Sequence, residues 1–83
     1  IFITSSKLYA IEGYDYYKTS NYVEFDSYCL SSGDDLDMYD YSTGDYHNVE
    51  IENVQCESSG CEIEIYDYTL SDYRYIELEE SMC

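Results

Sequence analysis

Val49-Glu50-Ile51-Glu52, followed by Glu57-Ser58-Ser59-Gly60 and then Cys61-Glu62-Ile63-Glu64-Ile65-Tyr66, is the stretch that decides the fold class. Val49 and Ile51 alternate with Glu50 and Glu52, and Cys61, Ile63 and Ile65 alternate with Glu62 and Glu64. Successive side chains of an extended chain point to opposite sides, so this pattern marks strands with one face on a core and one in water. The Glu57–Gly60 segment between them has the composition of a hairpin loop.

The same period of two runs outward from there. Upstream, Val23, Phe25, Ser27 and Cys29 alternate with Glu24, Asp26 and Tyr28. After the turn signal Ser31-Ser32-Gly33-Asp34-Asp35, Leu36 and Met38 oppose Asp37 and Tyr39, and Ser42-Thr43-Gly44-Asp45 is the next turn. Downstream, Arg74, Ile76 and Leu78 oppose Tyr75, Glu77 and Glu79. Near the start, Ile1-Phe2-Ile3 and Gly13–Tyr17 read as strands, and Ser5–Glu12 as one short helix capped by Ser5 or Ser6. The expectation is one mainly β domain over residues 1–83, an antiparallel sheet of four to six strands in hairpin succession. An α+β form with that N-terminal helix stays open. No fixed-period repeat stands out, and the enrichment in Asp, Tyr and Ser reads as compositional bias.

The four cysteines, Cys29, Cys56, Cys61 and Cys83, allow two bridges in three connectivities. Strand parity argues for thiols instead. If the hairpin keeps its apolar residues at odd numbers on both strands, Cys56 and Cys61 point to opposite faces. A bulge in the Glu57–Gly60 loop would undo this. Cys29 and Cys61 then pack as small hydrophobes, and Cys83 is placed to link two chains as a homodimer. No secretory hydrophobic segment or membrane-length apolar run occurs, and a start at Ile1 leaves room for a removed leader.

Charge narrows the function. Nineteen carboxylates face Lys7, Lys18 and Arg74, for a net charge of −16. Solubility alone needs a magnitude of only about 2–8 in a small domain. Nucleic acids and anionic membranes are poor partners for such a field, so a basic protein is expected. No cofactor is implied, and the catalytic inventory is thin. His47, between Tyr46 and Asn48, reads as an exposed turn residue without a nucleophile or orienting group beside it. Cys56 and Cys61 with Cys29, Cys83 and His47 give only one loose pair for zinc. Asp35-x-Asp37 starts like an EF-hand, but Asp40 stands where that loop needs glycine, leaving only an irregular calcium site in the Asp34–Asp45 loops.

What remains is the carboxylate array. Residues two apart on a strand lie about 6.6 Å apart on one face, and neighbouring strands about 4.8 Å apart. Glu50 and Glu52 beside Glu62 and Glu64 therefore make a regular patch, Glu77 and Glu79 extend it, and Asp34, Asp35, Asp37, Asp40 and Asp45 crowd the loops. Tyr39, Tyr66, Tyr68 and Tyr75 fall on or near these faces. Exposed tyrosine offers rigid contact area on which a partner's arginines stack.

On residues such as Asp34-Asp35-Leu36-Asp37, Glu50-Ile51-Glu52 and Glu62-Ile63-Glu64, and on its size and charge, the chain resembles the small acidic inhibitors of phages and mobile elements. These include anti-CRISPR proteins, anti-restriction proteins and uracil-DNA glycosylase inhibitors, several of which mimic DNA. The resemblance implies a non-enzymatic, stoichiometric inhibitor in the cytoplasm of a bacterial host. It would fill the basic nucleic-acid channel of a CRISPR effector or another DNA-processing enzyme. A secreted, disulfide-stapled acidic module, with or without calcium, is the second expectation.

Overall fold

The computed structural model describes residues 11–27, 29–58 and 60–78. Six strands follow one another: β1 (Ile11–Asp15), β2 (Asn21–Phe25), β3 (Asp35–Asp40), β4 (Asp45–Glu57), β5 (Gly60–Asp67) and β6 (Asp72–Leu78). Each pairs antiparallel with the next, and β6 pairs back onto β1 through Gly13↔Leu78 and Tyr14↔Glu77, so the sheet closes into a barrel. Closure removes the open edges that an exposed sheet would offer to other chains. The antiparallel β expectation holds. No helix is found among the described residues; Ile11 and Glu12, the end of the expected helix, belong to β1, and the rest of that segment and Ile1–Ile3 lie outside them.

The alternation read from the sequence sorts side chains into the barrel. Val23, Phe25, Met38, Val49, Ile51, Ile63, Ile65 and Ile76 are fully buried, with Ile11, Leu30, Cys61 and Leu78 nearly so. Gly13 makes the closure possible. A Cβ there would overlap Ile76 Cγ2 and lie 3.0 Å from the Glu77 carbonyl oxygen, so only glycine lets β1 approach β6 this closely.

A recurrence organises the barrel. Tyr14-Asp15-Tyr16, Tyr39-Asp40-Tyr41 and Tyr66-Asp67-Tyr68 end β1, β3 and β5. Each leads through a short turn into a strand that starts opposite the aspartate, at Asn21, Asp45 and Asp72. Two residues on, Val23, His47 and Arg74 point inward. The chain is thus three copies of one hairpin, with all three turns at the same end of the barrel. The Asp15–Asp40 and Asp40–Asp67 separations are 25 and 27 residues, which is why no constant period announces the repeat.

The cysteine expectation is overturned by a bulge. β4 and β5 pair as Ile51↔Ile65 and then as Asn53↔Glu64, so the register slips by one at Glu52. Cys56 then faces Cys61 directly, and the two form a disulfide. The bulge lies inside β4, where Ser32 Oγ donates to the Glu52 carbonyl, rather than in the Glu57–Gly60 loop. Cys29 is disulfide-bonded as well.

All three turns end on a residue with positive φ: Ser20 (52°), Gly44 (72°) and Ser71 (58°). That conformation costs an L-residue roughly 1–2 kcal/mol and glycine almost nothing. Ser71→Gly is therefore expected to raise the melting temperature, by up to about 8 °C for about 1 kcal/mol in a domain of this size, and Gly44→Ala to lower it. An unchanged or lower melting temperature for Ser71→Gly would contradict the left-handed turn.

Candidate functional site

Beneath the three turns lies a layer of buried charge. Asp15, Asp40 and Asp67 are fully buried, and His47 and Arg74 almost fully. Each aspartate divides its two oxygens between two tasks. Oδ1 accepts from its own turn: Asp15 from the Tyr17 and Lys18 amides at 3.0 and 2.9 Å, Asp40 from the Ser42 amide and hydroxyl at 2.9 and 2.6 Å, and Asp67 from the Thr69 and Leu70 amides at 2.9 and 3.1 Å. Aspartate favours such turns because its short side chain can accept from backbone N–H groups two or three residues on. Oδ2 points inward to Arg74, which donates from Nε to Asp15 and from Nη1 to both Asp40 and Asp67, each at 2.8 Å.

His47 lies in the same layer. Nδ1 is 2.7 Å from Asp67 Oδ2, and Nε2 is 3.1 Å from Thr43 Oγ1. The exposed turn residue expected from the sequence is thus a buried β4 residue, because β4 starts two residues earlier, at Asp45. Burial pushes the Asp40 carboxyl upward, but hydrogen bonds from Ser42 and Arg74 outweigh it and leave the group below the usual carboxylate range. Asp67 is likewise raised by burial and brought below that range by hydrogen bonds from His47, Arg74 and Leu70.

Asp40, His47 and Asp67 bring ligand atoms within 4.8 Å of one another. The Arg74 guanidinium already stands between the two carboxylates, bonded to both. This layer therefore joins the hairpins rather than offering a metal an open position.

The outer face carries the groups a partner can reach. A tyrosine–tyrosine contact recurs in each hairpin: Tyr14–Tyr22, Tyr39–Tyr46 and Tyr66–Tyr73 meet edge to face with ring centroids 4.8, 5.0 and 4.9 Å apart. Tyr16, Tyr41 and Tyr68 add a third ring to each group. Carboxylates lie among them. Tyr68 donates to Glu50 Oε1 at 2.7 Å, and that bond to a charged acceptor pushes the phenol up to about 12. Tyr75 is also raised, chiefly by the charge of Glu64.

The expected site residues divide. Asp35, Asp37, Asp45, Glu52, Tyr68 and Glu77 are exposed, and Asp34, Tyr39, Glu50, Glu62, Glu64 and Tyr66 half-buried. Asp40 is a correction: parity places it with Leu36 and Met38, and it is sealed inside. Glu79 lies outside the described residues. The four-glutamate patch also does not form as expected. Through the bulge, Glu64 faces Asn53, Glu62 faces Gln55, and Glu50 faces Tyr66. Glu62 faces Glu77 on its other side.

Two outcomes follow from the buried layer. Arg74→Met leaves three buried carboxylates without their shared cation and should cost about 3–5 kcal/mol, much of a small domain's stability; Arg74→Lys should not restore it, since an ammonium cannot bridge three oxygens as a planar fork does. Urea unfolding of the two variants measures both. Because Asp40 and Asp67 titrate lower folded than unfolded, their contribution is complete above about pH 4 and is lost as pH falls through the folded values. Urea midpoints should therefore drop on acidification below about pH 4, and a flat profile there would contradict the clamp.

Residues 11–81 match the family of unknown function DUF5334, and the chain belongs to that family. The match takes in all six strands. No curated protein and no solved structure gives a significant match.

Proposed function

We propose that this protein is a non-catalytic acidic binding module of an oxidising compartment, receiving a lysine- and arginine-rich partner on its tyrosine–carboxylate surface. The observation that carries the reading is the one-signed outer face. Every strand of the barrel contributes an outward or half-buried carboxylate: Glu12, Glu24, Asp37, Glu50, Glu64 and Glu77 in chain order. Among the described residues Lys18 is the only exposed cation, and its Nζ is bonded to Asp72 at 2.7 Å. Such a field steers a basic partner into encounter, and exposed rings give it contact area once there.

The occupant expected from the DNA-mimic resemblance needs a regular array on one side. The register breaks that array, and the carboxylates run round the whole circumference. The geometry therefore favours a basic partner in general over the channel of a CRISPR effector in particular. The Cys56–Cys61 bridge and the oxidised Cys29 favour a compartment where disulfides persist.

Binding of an arginine- and lysine-rich peptide is expected to weaken at least about tenfold between about 0.05 and 0.3 M salt, as screening shortens the reach of surface charge. An affinity indifferent to salt would sink the charge-led reading. The intact mass of native protein under non-reducing conditions should fall four hydrogens short of the reduced chain with its four cysteines. Free thiols there would remove the oxidising compartment.

A further inference from the structure

The outer surface holds a recess whose walls match one kind of cationic group. Tyr17, in the turn after β1, and Tyr75, on β6, bring their rings to a centroid distance of 6.1 Å at 78°. With Glu62 of β5 they line an open recess of about 340 Å³. Tyr17 is 74% exposed and Tyr75 45%, so both rings are within a partner's reach. We propose that this recess binds an alkylammonium group, held in the corner that the Tyr17 and Tyr75 rings make, with Glu62 as counter-ion. The inference rests on the basic-partner reading above and names the chemistry by which that partner is gripped: a lysine-type side chain.

Three features converge on a cation rather than an apolar group. Ring faces attract a cation within about 6 Å of their centroids, and two rings set near a right angle form a corner with two walls. Glu62 forms the third wall, and its charge is a counter-ion that an ammonium gains and an apolar occupant does not. Beside it, Glu62 directly faces Glu77 across the β5–β6 pair. Like charges directly opposite each other on neighbouring strands are destabilising, and no cationic partner relieves either of them among the described residues. An ammonium at Glu62 would relieve that repulsion. Glu64 lies one pleat further along β5, its Oε2 accepting from Tyr75 Oη at 3.3 Å, and adds to the negative field behind the ring.

The fold offers a second arrangement of the same kind. Glu12, Asn21, Tyr22 and Tyr41 line another open recess, and Glu12 faces Glu24 across the β1–β2 pair. Two tyrosines beside a like-charged cross-strand pair thus occur twice on one barrel.

The test uses choline and its uncharged isostere 3,3-dimethylbutan-1-ol, followed by the ring resonances of Tyr17 and Tyr75 in the intact, oxidised protein. Choline is expected to shift both sets saturably, and the isostere, of the same shape without the charge, to bind at least about tenfold more weakly. N-acetyl-lysine methylamide should shift the same resonances, which ties the recess to a side chain of a basic protein rather than to a free quaternary amine. Tyr17→Leu and Glu62→Gln change groups outside the core, so Tyr17→Leu should keep the native melting temperature and Glu62→Gln should keep or raise it by relieving the repulsion with Glu77, and each should weaken choline binding severalfold. Equal shifts by the isostere, or undiminished choline binding by Tyr17→Leu, would overturn the inference. So would choline without effect on either ring while the basic peptide still binds in a salt-dependent way, and that result would leave the broader reading standing.

Discussion

One guanidinium holds the three hairpins in register. Arg74 bonds to an aspartate from each of them, and each aspartate is simultaneously committed to the turn that follows it. Desolvating these charges carries a large penalty, and buried ion pairs often contribute little net stability against an apolar alternative. What the arrangement does supply is exclusivity. A slip of one residue in any hairpin would turn an aspartate outward and leave Arg74 short of a partner, while exposing the whole apolar set of that strand. The apolar interior alone penalises the slip by area, and the charged layer adds a penalty specific to register. For a chain of 83 residues, whose core is small, that second discrimination carries weight.

The outer surface follows from the same motif. Placing the aspartate of Tyr-Asp-Tyr inside forces the tyrosine before it to the outside, because neighbours on a strand alternate. The paired strand begins opposite the aspartate, so its own tyrosine, Tyr22, Tyr46 or Tyr73, lands beside the first. Triplication then distributes aromatic clusters around the turn end of the barrel. Interior clamp and exterior rings are two faces of one short sequence. The tyrosines need no separate explanation as core filler, since among the described residues nine large hydrophobic side chains, eight of them tyrosines, remain substantially exposed.

The alternation from Val23 to Leu78 was legible because burial on one face writes period two directly into the sequence. Arg74 belongs to the same inward face as Ile76 and Leu78, and the sequence shows this, but not what an inward arginine would meet. Its partners come from 59, 34 and 7 residues away, and no local pattern links them. The informative signal was the Tyr-Asp-Tyr motif, three times over, each at the end of an alternating run; unequal spacing hid it from a search for a constant period. The bulge at Glu52 was not legible at all. Val49 to Glu52 and Cys61 to Tyr66 each alternate cleanly, and nothing in either run marks the residue at which the register slips. That single extra residue decided both the cysteine pairing and the layout of the glutamates.

Inside and outside, the protein treats negative charge in opposite ways. In the buried layer every aspartate oxygen has a hydrogen-bond donor, and a permanent cation lies among the three carboxylates; the sequence supplies its own counter-charge where water cannot. On the outer face, Glu62 stands against Glu77 with no such provision among cations of the described chain. Water and salt make that repulsion tolerable, and a neutral residue at either of these positions would relieve it at no cost to packing. A sequence that places its one buried arginine so economically, yet leaves like charges facing each other beside exposed rings, is better explained by a cation arriving from elsewhere than by stability. The asymmetry is what ties the fold to the proposed binding role: the interior supplies its own counter-charge, and the Glu62–Glu77 pair draws on none among the described residues.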